Sequence, residues 1–184
     1  MLTTVAIAIG VLIAAVLVFA ATRPDAFEVK RSKGIQAPAE RLYPLIADFH
    51  NWAQWSPFEK LDPAMTKTYS GFANGKGAVY QWAGNSRAGE GRMEIVETDV
   101  PKLVRIKLDF LKPFEGHNTA EFTLRSTHAN AAEVTWTMRG KRPFMMKVMS
   151  VFISMDNMLG KSFEEGLANL KGIAEKAEFS VKGA

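Results

Sequence analysis

The 184-residue chain contains no cysteine, which excludes disulfides, thiol nucleophiles and thiolate metal sites. Histidine is almost as scarce, with His50, His117 and His128 the only three. None stands at helical spacing from a carboxylate or a second histidine in the manner of a metal site. So few bases also leave a serine nucleophile without an evident partner. Gly71 to Gly77 lacks the spaced first glycine and the following Ser or Thr of a P-loop. Gly84, Gly89 and Gly91 fall between strands and not ahead of a helix, so they read as turns or bulges. There is no charge block: 23 Lys and Arg are interspersed with 19 Asp and Glu for a net charge of +4, a solvated surface and not a nucleic-acid footprint. These absences predict no metal, no cofactor, no catalytic residue and no nucleic-acid partner. What remains is 47% hydrophobic, enough to bury the core of one domain of roughly 150 residues.

One long apolar run is present. Val5 to Ala21 is apolar or Gly throughout, and with Met1 and Leu2 it reaches about the 20 residues that a membrane helix needs. No Lys or Arg precedes it, so the charged leader region of a secretory signal is missing, although Val18-Phe19-Ala20 before Ala21 resembles a cleavage pattern. Residues 1–22 therefore read as a transmembrane anchor, with a cleaved signal peptide and an exported domain as the alternative. Arg23, Lys30, Arg31 and Lys33 follow the run, and the positive-inside rule then predicts a single-pass protein with a cytoplasmic domain.

Residues 23–26 read as a linker, 27–177 as a domain and 178–184 as a polar tail. Phe27 to Ile35 opens the domain as a strand. Ala37-Pro38-Ala39-Glu40 starts a helix with Leu42, Leu45, Ile46 and Phe49 at helical spacing, and Pro44 is expected to kink it or delay its start. A short helical turn carries Trp52 and Trp55 and ends at Ser56-Pro57. Candidate strands follow at Thr66–Gly71, Ala78–Trp82, Gly91–Glu97, Leu103–Phe110, Asn118–Arg125 and Glu133–Arg139. Val104, Ile106, Leu108 and Phe110 alternate with Arg105, Lys107 and Asp109; Ala120, Phe122 and Leu124, and Val134, Trp136 and Met138, repeat the pattern. One face of an antiparallel sheet is thus almost wholly apolar. After Pro143 the spacing of Val148, Phe152, Met155, Leu159, Phe163, Leu167, Leu170 and Ala174 predicts one helix to about Ala177, buried against the sheet. Between Phe144 and Leu159 that helix is apolar on nearly every side, five methionines included, more than one covering stripe requires. That excess suits packing against the first helices, or a cavity wall backed by a gate or a bilayer contact.

The element order resembles the α+β helix-grip fold of the SRPBCC (START/Bet v 1-like) superfamily, a curved antiparallel sheet of about seven strands around a long C-terminal helix. The likeness sharpens at Ile35-x-Ala37-Pro38, Asp48 through Trp52-x-x-Trp55-Ser56-Pro57, Gly89-Glu90-Gly91, Leu111-Lys112-Pro113-Phe114, Thr135-Trp136-Thr137-Met138-x-Gly140, Met155-Asp156-x-Met158-x-Gly160 and Phe163-Glu164-x-Gly166-Leu167. These segments are similar to membrane-anchored members of the polyketide cyclase/dehydrase and lipid-transport group; Pro44 departs from the pattern. The resemblance implies a fold and leaves the chemistry open.

By alternation the carboxylates of the clearer strands point outward and Asn118 is the main polar residue pointing in, a scarcity of reactive groups that favours binding over turnover. The expected function is carriage or sensing of a hydrophobic small molecule or lipid beside a membrane. A cyclase or dehydratase-like enzyme and a protein-interaction module built on the Met-rich helix are the alternatives. Tyr80, Trp82, Ile106, Leu108, Phe122, Trp136, Met138, Phe152 and Met155 are the expected ligand contacts, with Trp52, Trp55, Phe114 and His117 at the cavity mouth.

Overall fold

The computed structural model describes residues 1–151 and 155–182. The N-terminal run forms α1 (Leu2–Ala21), whose Thr3–Ala21 stretch is long and apolar enough to cross a membrane, a property that a signal sequence shares. Its described side chains are exposed except for Ala20, which is buried, and Val16, which is half-buried.

Seven strands follow as β1 (Ala26–Ile35), β2 (Thr66–Gly71), β3 (Ala78–Ala83), β4 (Glu90–Asp99), β5 (Leu103–Lys112), β6 (Gly116–His128) and β7 (Ala131–Lys141). They form one curved antiparallel sheet in the order β1-β7-β6-β5-β4-β3-β2. Register places Val104 beside Phe122 and Phe122 beside Trp136, and Leu124 beside Val134, so the alternation seen in sequence becomes a single apolar inner face. Hairpin geometry sorts the turns: those of β3–β4 and β5–β6 lie at the end of the sheet where β1 begins, and those of β2–β3 and β4–β5 at the far end.

Between β1 and β2 lies α2 (Ala39–Ala47), which buries Leu42 and Ile46. Pro44 sits inside it, and the helix stops at Ala47, short of Phe49. A helix leaves its last four carbonyls unpaired, and here each finds a donor from outside. Asn51 Nδ2 donates to Pro44 O (3.1 Å), Trp55 Nε1 to Leu45 O (2.9 Å), Trp52 Nε1 to Ile46 O (2.9 Å) and the Gly75 amide to Ala47 O (2.8 Å). Two 3-10 turns, Phe49–Gln54 and Pro57–Lys60, carry the tryptophans into position.

The expected single C-terminal helix is divided into α3 (Phe144–Met149) and α4 (Met155–Lys182). Ser150 caps α3 by donating from Oγ to Lys147 O at 2.7 Å, and the Val151 amide closes a tighter turn onto Val148 O, local bonds that compete with helix continuation. α4 lies on the apolar face, burying Phe163, Leu167, Leu170 and Ala174. α3 does not lie on the sheet as expected; it packs against α1.

Arg31 ties β1 to the start of α4. Its guanidinium donates to Asp156 (2.9 Å) and Glu164 (2.7 Å), and it holds the Asp156 carboxyl below its ordinary value. A Cβ on Gly160 would stand 2.0 Å from Arg31 Nη2, so the glycine is what lets the arginine cross the helix. Arg31 shares the parity of Val29, as its sequence position suggests, but ends on α4 carboxylates.

Candidate functional site

A cavity of about 430 Å³ lies between the inner face of the sheet, the 3-10 turns and the first turns of α4. Its size falls in the range of small-molecule pockets, where a mostly apolar wall carries few polar groups. Strands β3 to β7 supply Tyr80, Trp82, Met93, Leu108, Phe110, Ala120, Trp136 and Met138; the turns supply Trp52, Ser56, Phe58, Glu59, Leu61 and Met65; α4 supplies Met158, Leu159, Ser162 and Phe163. Arg87 and Ala88 of the β3–β4 turn complete it. Arg87 and Met158 are its exposed members, so the opening lies between that turn and the first turn of α4.

Aromatic stacking sets the wall. The Trp136 ring lies parallel to Phe163 with centroids 4.1 Å apart and against Phe122 at 4.8 Å. Trp82 is held across Gly91, where a Cβ would come within 2.3 Å of the indole, and its Nε1 donates to Ala88 O at 3.0 Å. The floor of the opening is pinned to the turn that borders it.

Of the residues expected to contact a ligand, Tyr80, Trp82, Leu108, Trp136 and Met138 come together in this wall. Ile106 and Phe122 are fully buried behind it in the packed core. Phe152 and the Met155 side chain lie outside the described residues. The expected mouth is in a different place. Trp52 is a wall residue, but Trp55 is completely buried, packed against Trp52, Phe122 and Trp136. Phe114 is 72% exposed in the β5–β6 turn and outside the wall. His117 belongs to the outer face, where its Nδ1 meets the Asp109 carboxylate at 2.7 Å, beside a shallow basin that Asn118 also borders.

Sequence reasoning missed a polar corner. Glu59 accepts from Tyr80 OH at 2.8 Å and pairs with Lys67. Burial pushes the Tyr80 phenol far above its ordinary range, and the bond to Glu59 adds to the shift, so Tyr80 stays a neutral donor. Alternation along strands could not find Glu59, since it sits on a 3-10 turn. Ser56 Oγ and Trp136 Nε1 belong to wall residues, but both atoms are sealed from the cavity and have no hydrogen-bond partner among the described residues.

A family model described as polyketide cyclase / dehydrase and lipid transport matches residues 26–175. The chain belongs to this family. The architecture of the chain is shared with distant solved structures. XoxI from Bacillus cereus superposes with a TM-score of 0.57 at 15% identity, covering 82% of this chain and 97% of that one. The Aha1 dimer from Colwellia psychrerythraea gives 0.57 at 16% identity, covering 81% and 96%. Ara h 8.0201 gives 0.55 at 10% identity, covering 82% and 99%. At these identities the likeness is one of fold. No curated protein matches the chain. Family membership thus fixes the SRPBCC-type fold on which the cavity is built.

Proposed function

We propose that this protein binds a hydrophobic small molecule or lipid between its sheet and α4, as a carrier or sensor on the membrane to which α1 anchors it. The observation that carries the reading is the cavity of about 430 Å³ with its largely apolar wall. Removing apolar surface from water supplies about 25 cal/mol per Å², and Met65, Met93, Met138 and Met158 give the wall thioethers that adapt to a ligand's shape.

Arg23, Lys30, Arg31 and Lys33 after α1 support a domain on the cytoplasmic side of a retained anchor. Export after cleavage is the alternative, and the intact mass of the extracted chain separates the two. Solvent extraction of the purified full-length protein, followed by mass spectrometry, tests the carrier. One apolar species enriched over bulk membrane lipid is expected, and extracts no different from the bulk lipid overturn the reading.

A cyclase or dehydratase-like enzyme has Glu59 in its favour, a carboxylate in the wall beside a neutral tyrosine. Its oxygens are engaged by Tyr80 and Lys67, a setting that fits holding the wall together better than taking a proton. Glu59→Gln separates the readings: loss of a turnover that wild type shows, with binding intact, would favour the enzyme.

A further inference from the structure

The end of the domain from which α1 departs carries an unusual surface. The Arg142 amide donates to Asp25 O at 2.7 Å, and the buried Lys147 ammonium pairs with the Asp25 carboxylate, so α3 is fastened to the residues that directly follow α1. α3 packs against α1, whose buried Ala20 and half-buried Val16 mark its last turns. A helix of 20 residues spans about 30 Å, the thickness of a bilayer's hydrocarbon core. With α1 in a membrane, its last turns, and α3 with them, stand at headgroup depth.

At that depth α3 exposes Phe144, Met145 and Met149 by 51%, 67% and 48%. The last residues of β5 and the β5–β6 turn lie at the same end of the sheet and expose Leu111 and Phe114 by 54% and 72%. Arg23, Lys141 and Arg142 lie alongside, and none has an acidic side-chain partner among the described residues. Exposed apolar side chains bordered by unpaired cations are the composition of a surface that beds into the boundary between lipid headgroups and acyl chains. The β3–β4 turn that borders the cavity opening, with Arg87, is at this end too.

We propose that this end of the domain rests on the bilayer that α1 crosses, an inference that depends on the anchor reading. Phe144, Met145 and Met149 of α3, Leu111 at the end of β5 and Phe114 of the β5–β6 turn enter the interface, with Arg23, Lys141 and Arg142 against lipid phosphates. Two separate apolar contacts fix the domain's tilt and turn the cavity opening toward the lipid. A hydrophobic ligand then passes between bilayer and cavity without crossing bulk water.

The cysteine-free chain allows single labels. Full-length Met145→Cys, Phe114→Cys, Leu12→Cys and Phe72→Cys are spin-labelled in vesicles of phosphatidylcholine and phosphatidylglycerol. Collision with oxygen is compared with collision with a water-soluble nickel chelate. Phe72 is 72% exposed in the β2–β3 turn, at the far end. Labels at Met145 and Phe114 are expected to favour oxygen at a depth between that of Leu12 and water, with Phe72 favouring nickel. If Met145 or Phe114 behaves like Phe72 while Leu12 lies deep, the docking is wrong and the anchor stands. If either is shielded from both reagents, a protein partner covers the surface and the lipid proposal fails. If Leu12 itself meets the nickel chelate, the anchor reading falls and takes this inference with it.

Discussion

The tryptophan pair shows two residues that share one kind of hydrogen bond and are separated in role by packing. Trp52 and Trp55 look alike in sequence, yet both indole donors are committed to carbonyls at the end of α2, and Trp55 has no surface left for a ligand. Replacing Trp55 by Phe keeps a ring and leaves Leu45 O unpaired in the interior, so chemical denaturation should show a loss of about 2 kcal/mol with ligand retention unchanged. Asp109 offers a pH test on the other face. Burial pushes its carboxyl up, but hydrogen bonds from His117 and Lys107 outweigh that and hold it below its ordinary 3.8. A carboxyl with a depressed folded value stabilises fully above its unfolded value, and that contribution fades as pH falls through the folded one. Urea midpoints below about pH 4 should therefore fall more steeply in wild type than in Asp109→Asn. Parallel acid limbs would contradict the assignment.

Among the elements, the strands were legible because a half-buried antiparallel strand writes its burial pattern directly into alternating residue types. Leu103–Lys112 and Ala131–Lys141 extend the expected segments by only a residue or two at their ends. The C-terminal helix was less legible. Spacing reports an apolar side chain but not what covers it, and α3 turned out to lie against α1, a contact with no local signature. Glu59 and Arg87 escaped for the same reason, being wall residues on turns where no periodicity applies. The clamp between β1 and α4 belongs to this scale as well. Gly→Ala inside a helix ordinarily stabilises by about 0.5–1 kcal/mol. At Gly160 the new methyl would displace the Arg31 guanidinium from Asp156 and Glu164. Gly160→Ala should thus give no gain in wild type and recover it in an Arg31→Ala background, a coupling that a double-mutant cycle reads directly. Equal gains in both backgrounds would show that the clamp holds nothing.

For the whole molecule, the account makes the space under α4 a binding cavity and not a packed core, and Leu108 in its wall is the place to ask. Protein interiors are close-packed, so an enlarged side chain in a solid core costs about 1–3 kcal/mol, or several degrees in Tm for a chain of this size at about 2–4 °C per kcal/mol. The deciding measurement is made on full-length Leu108→Trp beside wild type. Native mass spectrometry reads the retained ligand, and thermal unfolding is followed after the ligand is stripped from both, because bound ligand would itself raise Tm. The account predicts that the variant loses the retained mass that wild type carries, while the stripped proteins melt within about 2 °C of each other. A wild type with no retained mass, and a variant melting several degrees lower, would contradict it.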